Sequence, residues 1–221
     1  MASSEDSKRS AALRAAEDIE DGWTVGLGTG STANLFLEEL AARINTEGIQ
    51  VTGVPTSVAT ESYAKKLGIP IVSLNDASRV NITVDGADEV DRKLCLIKGG
   101  GGALTREKIV ASASESYIVI VDEGKVVDKL GTFPVPLEVL AFAENMVFME
   151  LRDIEGQPVV RKDFTTDNGN MIIDCKLVVD DPLDMEGLLN NIPGVLENGI
   201  FAMTTPSVVY VGKGKKVEEL R

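Results

Sequence analysis

Residues 23–44 read WTVGLGTGSTANLFLEELAARI. Trp23 to Leu27 is a short run of strand formers, residues 28–32 spell GTGST, and from Thr32 to Ile44 apolar residues recur at helical spacing. A strand turning through glycines into a helix is the first half of a βα unit. The same alternation continues outward. Residues 4–20 read as a helix with Ser4 as its N-cap, and Leu13, Ala16 and Ile19 along one side. Ile49 to Val54 is a second strand, PTS at 55–57 turns into a helix through Leu67, and Ile69 to Ser73 and Val80 to Val84 are further strands. Leu94 to Ile97 precedes a helix starting near Ala103, and the wholly apolar YIVIV at 117–121 suits a strand covered on both faces. The class is α/β, with a mostly parallel, Rossmann-like sheet and helices on both faces.

After TFPVP (132–136) the texture changes. A strand, a helix over about 139–151, strands at Pro158 to Arg161 and Met171 to Val178, a helix over about 182–191 and a strand from Val195 to Phe201 follow. That β-α-β-β-α-β order predicts a smaller ferredoxin-like α+β domain. Asp167-Asn168-Gly169 supplies turn chemistry between its middle strands. Ser207 to Val211 reads as a strand returning to the first domain. The expected division is therefore 1–131 with 205–221 as the α/β domain, and 132–204 as an insertion.

Composition removes several functions. With 35 Asp+Glu against 22 Lys+Arg, the net charge of −13 repels phosphate backbones and opposes nucleic-acid binding. No apolar run reaches the roughly 18 residues of a membrane span, and MASSEDSKRS lacks a signal-peptide core, so the expected location is cytoplasmic. Cys95 and Cys175 form no CxxC pattern, which predicts reduced, buried thiols and no zinc site. The chain has no histidine at all. Acid–base work must then fall to Asp, Glu, Lys, Tyr or Cys, and a Ser/His/Asp triad is excluded.

Every polar motif of interest falls just after a strand, where ligands gather in open α/β sheets. The densest is DGADEVDRKLCLIKGGGGALTREK at 85–108. Asp85 and Asp88 follow one apolar run. Lys98, the glycines Gly99 to Gly102 and a helix opening with Glu107 in its first turn follow another. Each has a plain structural reading: turn former, solvated charge or favourable helix-dipole position. The glycine run resists one, because each glycine costs about 0.5–1 kcal/mol of extra ordering relative to alanine. Backbone that must approach a ligand closely accounts for it. Carboxylates, an ammonium and free amides together can move protons on an anionic polyol. GTGST can aim backbone N–H groups at a phosphate, or serve as a tight turn. It is neither G-x-G-x-x-G nor a Walker loop. Lys125 in VDEGKVVD is a second cation or a surface lysine. Thr56 and Ser57 are ligand hydroxyls or caps, with Ser57 favoured as a cap.

These residues resemble the type A ribose-5-phosphate isomerase family. The segments are GLGTGSTA (26–33), DGADEVD (85–91), KGGGGALTREKIVA (98–111), VDEGKVVD (121–128) and TDNGN (166–170). The resemblance implies interconversion of ribose 5-phosphate and ribulose 5-phosphate through an enediolate, with a sugar phosphate as partner, no metal or other cofactor, and a homodimer or homotetramer. It gives Glu107 the general-base role, and Asp85 and Asp88 ring opening and hydroxyl binding. Lys98 and the glycine backbone stabilise the oxyanion. Substrate contacts fall to Thr29, Gly30, Ser31, Thr32, Asp85, Gly86, Ala87, Asp88, Lys98, Gly99, Gly100, Gly101 and Lys125, with Lys8-Arg9 as a further reach toward phosphate. One departure is a fourth glycine where alanine is more typical. Two other enzyme readings stay open: an aminosugar-phosphate deaminase, which usually relies on a histidine, and a coenzyme A transferase with a glutamate nucleophile. A third is a sugar-phosphate sensor without catalysis.

Overall fold

The computed structural model describes residues 3–221, so the first two positions of the expected 1–131 domain lie outside the described residues. In chain order the elements are α1 (Ser4–Glu17), β1 (Thr24–Leu27), α2 (Ser31–Glu47), β2 (Thr52–Pro55), α3 (Val58–Lys66), β3 (Val80–Asp85), β4 (Glu89–Val90) and β5 (Leu96–Ile97). Then come α4 (Leu104–Ser112), β6 (Ser114–Asp122), β7 (Val135–Val139), α5 (Glu144–Asp153), β8 (Gln157–Val160) and β9 (Met171–Lys176). The last are α6 (Pro182–Asn190), β10 (Val195–Asn198), β11 (Ile200–Phe201), β12 (Val208–Lys213) and β13 (Lys216–Leu220). They form two compact units. One comprises the chain up to Gly86 with Arg106–Val126 and Pro206–Arg221, and the other Ala87–Thr105 with Val127–Thr205.

The first unit is a six-stranded sheet in the order β13-β12-β6-β3-β1-β2, parallel except for the β12–β13 pair. Strand alternation sorts its faces. Val25, Leu27, Ile82, Val84, Ile118 and Ile120 enter one core with α1 and α2. On the opposite face, a Cβ at Gly26 would meet Thr83 and Val110 of α4, and Val110 clusters with Val54 and Val80. Helices thus cover both faces, as a parallel sheet requires. α1 lies very close to β12: a Cβ on Gly212 would sit 1.8 Å from the Ser7 carbonyl oxygen. Ala11, Ala12, Ala15 and Ala16, all fully buried, give α1 the thin side that this approach needs. Its cap is Ser3 rather than Ser4, closed as a capping box with Asp6. Such a cap stabilises a helix by about 1 kcal/mol. Ile69 to Ser73, expected as a strand, contributes only the single bridge Gly53–Ile71, since it runs into the polar turn SLND.

The second unit holds a four-stranded antiparallel sheet, β10-β7-β9-β8, with α5 and α6 in the crossovers. Numbered within the unit, the order is 4-1-3-2, the ferredoxin-like arrangement. Val135, Leu137, Val139, Val147, Leu151, Ile173 and Leu189 form its core. A three-stranded sheet, β11-β5-β4, accompanies it. The stretch Ala87–Thr105, read from sequence as part of 1–131, packs in this unit instead. Its strand β5 pairs with β11, Ile97 enters the core, and the Glu89 carboxylate accepts N–H bonds from Gly131 (2.8 Å) and Phe133 (2.6 Å). The expected Val195–Phe201 strand is two strands in two sheets. Gly199 separates them, at a point where a Cβ would lie 2.3 Å from the Lys98 carbonyl oxygen.

Both cysteines are free and buried, in the second unit's core. Burial pushes both thiols up to about 11, with the Asp91 charge adding to the effect at Cys95. Because folding raises these values from about 9, the stabilisation they give is complete below pH 9 and is lost as pH rises toward 11. At pH 8 the native protein should react with a thiolate-trapping disulfide reagent only over hours, and at once in guanidinium. Immediate native labelling of either cysteine would contradict this.

Candidate functional site

In the first unit the adjacent strands β1, β3 and β6 end in GTGST, Asp85-Gly86 and DEGK, respectively. Gly28 is required by proximity: a Cβ there would sit 2.2 Å from Asp85 Oδ1 and 2.6 Å from its Cα. That approach lets the buried Asp85 Oδ1 accept the N–H groups of Thr29 (3.0 Å) and Gly86 (2.7 Å). The carboxylate is anchored by main chain, which fixes its orientation. The Thr29 hydroxyl turns into a cluster with Thr56 (2.8 Å), Ser57 (2.9 Å) and Thr60 (3.0 Å). Thr56 and Thr60 in turn donate to the carbonyls of Leu27 and Gly28, bracing the turn from behind. Ser57 also accepts the Thr60 N–H as the cap of α3, the role favoured for it from sequence.

Gly30, at φ +114°, opens the 17-residue α2 without a side-chain cap. The first-turn amides after it are left to water or a ligand. Ser31 is exposed and Thr32 half-buried there, and Gly86 lies beside Thr32. Lys8 Nζ donates to Ser31 Oγ at 3.1 Å, bringing a cation to this turn. Arg9 does not join it, being paired with Glu38 and Glu39. Lys125 closes the short 3-10 turn after β6 and is half-buried. Glu107 stands in the first turn of α4, with only 5% of its surface exposed.

The second unit holds the other motif residues. Asp88 N–H donates to the Ile97 carbonyl (2.8 Å), and Asp88 Oδ2 accepts the Gly100 N–H at 2.8 Å. Ala87, before it, is half-buried. Lys98 is 2% exposed, its N–H donates to Gly199, and its ammonium lies 5.6 Å from the Phe201 ring centroid. The glycines are not equivalent. Gly99 (φ +104°) and Gly102 (φ +75°) occupy backbone that only glycine enters cheaply, and a Cβ on Gly102 would lie 2.2 Å from the Phe164 ring. Gly100 and Gly101 are exposed between them.

Two residues of this unit gave no functional signal in the sequence reading. Arg161, just after β8, donates to the carbonyls of Gly99 and Gly100 and pairs with Asp174. Glu138, fully buried on β7, accepts from Thr105, Thr166 (2.7 Å), Asn168 and Asn170 (2.9 Å). TDNGN is therefore a carboxylate-binding turn as well as a hairpin connection. A lone Glu in the apolar strand VPLEV was the signal available for Glu138; Arg161 had none. Among the described residues, no three Asp, Glu or Cys side chains gather as a metal-binding group would.

A parallel α/β unit with an uncapped glycine turn, and an antiparallel unit carrying a glycine run next to a buried lysine in the chain, define a two-unit α/β protein with groups suited to acid–base chemistry. The model of the family ribose 5-phosphate isomerase A (phosphoriboisomerase A) matches residues 52–216. The ribose-5-phosphate isomerase A of Methanothermobacter thermautotrophicus is 51% identical over 209 residues, covering 91% of this chain and 92% of the relative. The solved ribose 5-phosphate isomerase A of Methanocaldococcus jannaschii superposes with a TM-score of 0.96 at 45% identity, over 99% of this chain and all of that one. A D-ribose-5-phosphate isomerase in complex with phospho-erythronic acid gives 0.96 and 45%, over 99% of each chain. The chain belongs to the ribose 5-phosphate isomerase A family. Among the described residues, no helix is long and apolar enough to cross a membrane.

Proposed function

We propose that this chain interconverts D-ribose 5-phosphate and D-ribulose 5-phosphate by proton transfer through an enediolate. The observation that carries the reading is the burial of an ammonium and a carboxylate, Lys98 before the glycine run in the chain and Glu107 after it, in a family member without histidine. Glu107 removes the C2 proton of the open-chain aldose and returns it to C1. The electron pair from the C2–H bond forms the C1–C2 double bond, and the former carbonyl oxygen takes the negative charge. Lys98 and the amides of Gly99 and Gly101 stabilise that oxyanion, while the Gly100 N–H holds Asp88 in place. The hydroxyl proton passes from O2 to O1, so no atom or electron is gained or lost overall. Asp85 and Asp88 open the furanose ring and hold sugar hydroxyls, with Gly86 and Ala87 lining the same stretch. The phosphate is taken by Gly30, Ser31 and Thr32 at the start of α2, with Lys8 and Lys125 as cations. Thr29 contributes by orienting Asp85 through its N–H, its hydroxyl being committed to the bracing cluster.

No metal or organic cofactor enters this scheme. The location is the cytoplasm and the assembly a homodimer or homotetramer. Exposed Phe142 and Met149 give the second unit an apolar surface suited to a further copy. In D₂O, ribulose 5-phosphate formed by the protein should carry solvent deuterium at C1, read by proton NMR. Complete absence of label at C1 would overturn the enediolate route.

A further inference from the structure

We infer that Arg161 is a positioning residue for the isomerisation: it aims the Gly101 amide at the oxyanion from behind the glycine run. This inference rests on the function proposed above. Arg161 Nη1 and Nη2 donate to the Gly99 carbonyl, both at 3.2 Å, and Nη1 donates to the Gly100 carbonyl at 3.1 Å. In a trans peptide unit the C=O and the following N–H point in opposite directions. Tying the Gly99 carbonyl to the guanidinium therefore turns the Gly100 N–H away from it, where Asp88 Oδ2 receives it at 2.8 Å. Tying the Gly100 carbonyl sends the Gly101 N–H the same way. The Gly99–Gly100 peptide is also held by the Gly102 N–H on the Gly99 carbonyl (2.9 Å) and by Asp88, whereas for the Gly100–Gly101 peptide, which has no side chain to set its plane, the guanidinium on the Gly100 carbonyl is the anchor.

The guanidinium is fixed by two further groups, and its backbone by a third. Asp174 takes Nε at 2.9 Å and Nη2 at 2.5 Å in a forked pair. Its face lies 5.3 Å from the Phe164 ring centroid, and Phe164 is the ring that Gly102 abuts. The Arg161 N–H joins the Ile172 carbonyl at 2.9 Å, setting the backbone. Lysine cannot reproduce this, because an ammonium has no planar fork to span an aspartate and two carbonyls. Donors aimed in advance at developing charge are worth about 10²–10³ in kcat each. Donors left in place but misaimed forfeit part of that.

The test is Arg161→Met and Arg161→Lys in a coupled ribose 5-phosphate assay, with the affinity for phospho-erythronic acid measured alongside. That acid presents a planar carboxylate where the enediolate carries its oxygens. In Arg161→Met, kcat should fall about 30- to 300-fold while KM moves less than about 3-fold. The analogue's affinity should fall with kcat, and Arg161→Lys should recover little. Should Arg161→Met fail to fold, Asp174→Asn replaces it; it keeps the guanidinium and loosens its anchor, for an expected 5- to 50-fold loss in kcat (order of magnitude). A wild-type protein active on ribose 5-phosphate with kcat undisturbed in the variants overturns the role of Arg161 alone. A loss confined to thermal stability does so too. A wild-type protein inert toward ribose 5-phosphate overturns the parent reading instead.

Discussion

Glu107→Gln lowers kcat for ribose 5-phosphate isomerisation by about 10²-fold or more, the span a positioned general base contributes. The amide has nearly the same shape, so it should fill the same buried position, but it cannot accept the C2 proton at neutral pH. Substrate binding relies on other groups, and KM should stay within a few-fold. In D₂O the rate at which solvent deuterium enters product should fall in parallel with kcat, while each residual product molecule still carries label at C1. Steady-state kinetics of the purified variant decide the matter. Turnover close to that of the parent protein would remove Glu107 from the mechanism.

The second large effect concerns stability. Glu138→Leu should destabilise the protein by about 3–5 kcal/mol, the range for removing one member of a buried charged network. The cause is local. Thr105, Thr166, Asn168 and Asn170 all donate to a carboxylate with no exposed surface. Deleting the acceptor strands those donors, at about 1–3 kcal/mol for each that neither relaxes nor finds water. Against a total of about 5–15 kcal/mol, the melting temperature should drop by roughly 10 °C in a circular-dichroism melt. Glu138→Gln should fall between, keeping one acceptor oxygen but placing an NH₂ among donors. A leucine variant melting with the parent protein would show that the turn holds itself.

The parallel half of the fold was legible because its strands are continuous apolar runs and each polar motif sits at a strand's carboxyl end. YIVIV, GTGST and DGAD needed no tertiary information. The short pieces did not read true. Leu94 takes a left-handed backbone (φ +64°) that shortens the expected Leu94 to Ile97 strand to two residues, a conformation imposed by the turn around Asp91. β13 was missed altogether, because KVEEL has three charged residues and pairs along one edge only. The motif residues announced themselves by charge and glycine. What supports them did not: the hydroxyls of Thr56 and Thr60 look like ordinary turn chemistry. Arg161 is 62 positions from the glycine carbonyl it grips, beyond the reach of local pattern.

The close seating of Ser7 against the last long strand has a consequence for how the protein comes into being. The Ser7 hydroxyl receives the Gly214 N–H across 207 positions, and Gly212 is shaped to admit that helix. Until those late residues emerge from the ribosome, α1 has only α2 and β6 to rest on, and β6 is paired on one side alone, with β3. Separations this long make for slow closure and an extended period of sticky, half-assembled chain. Production should therefore depend on chaperone supply more steeply than the modest size of the protein suggests.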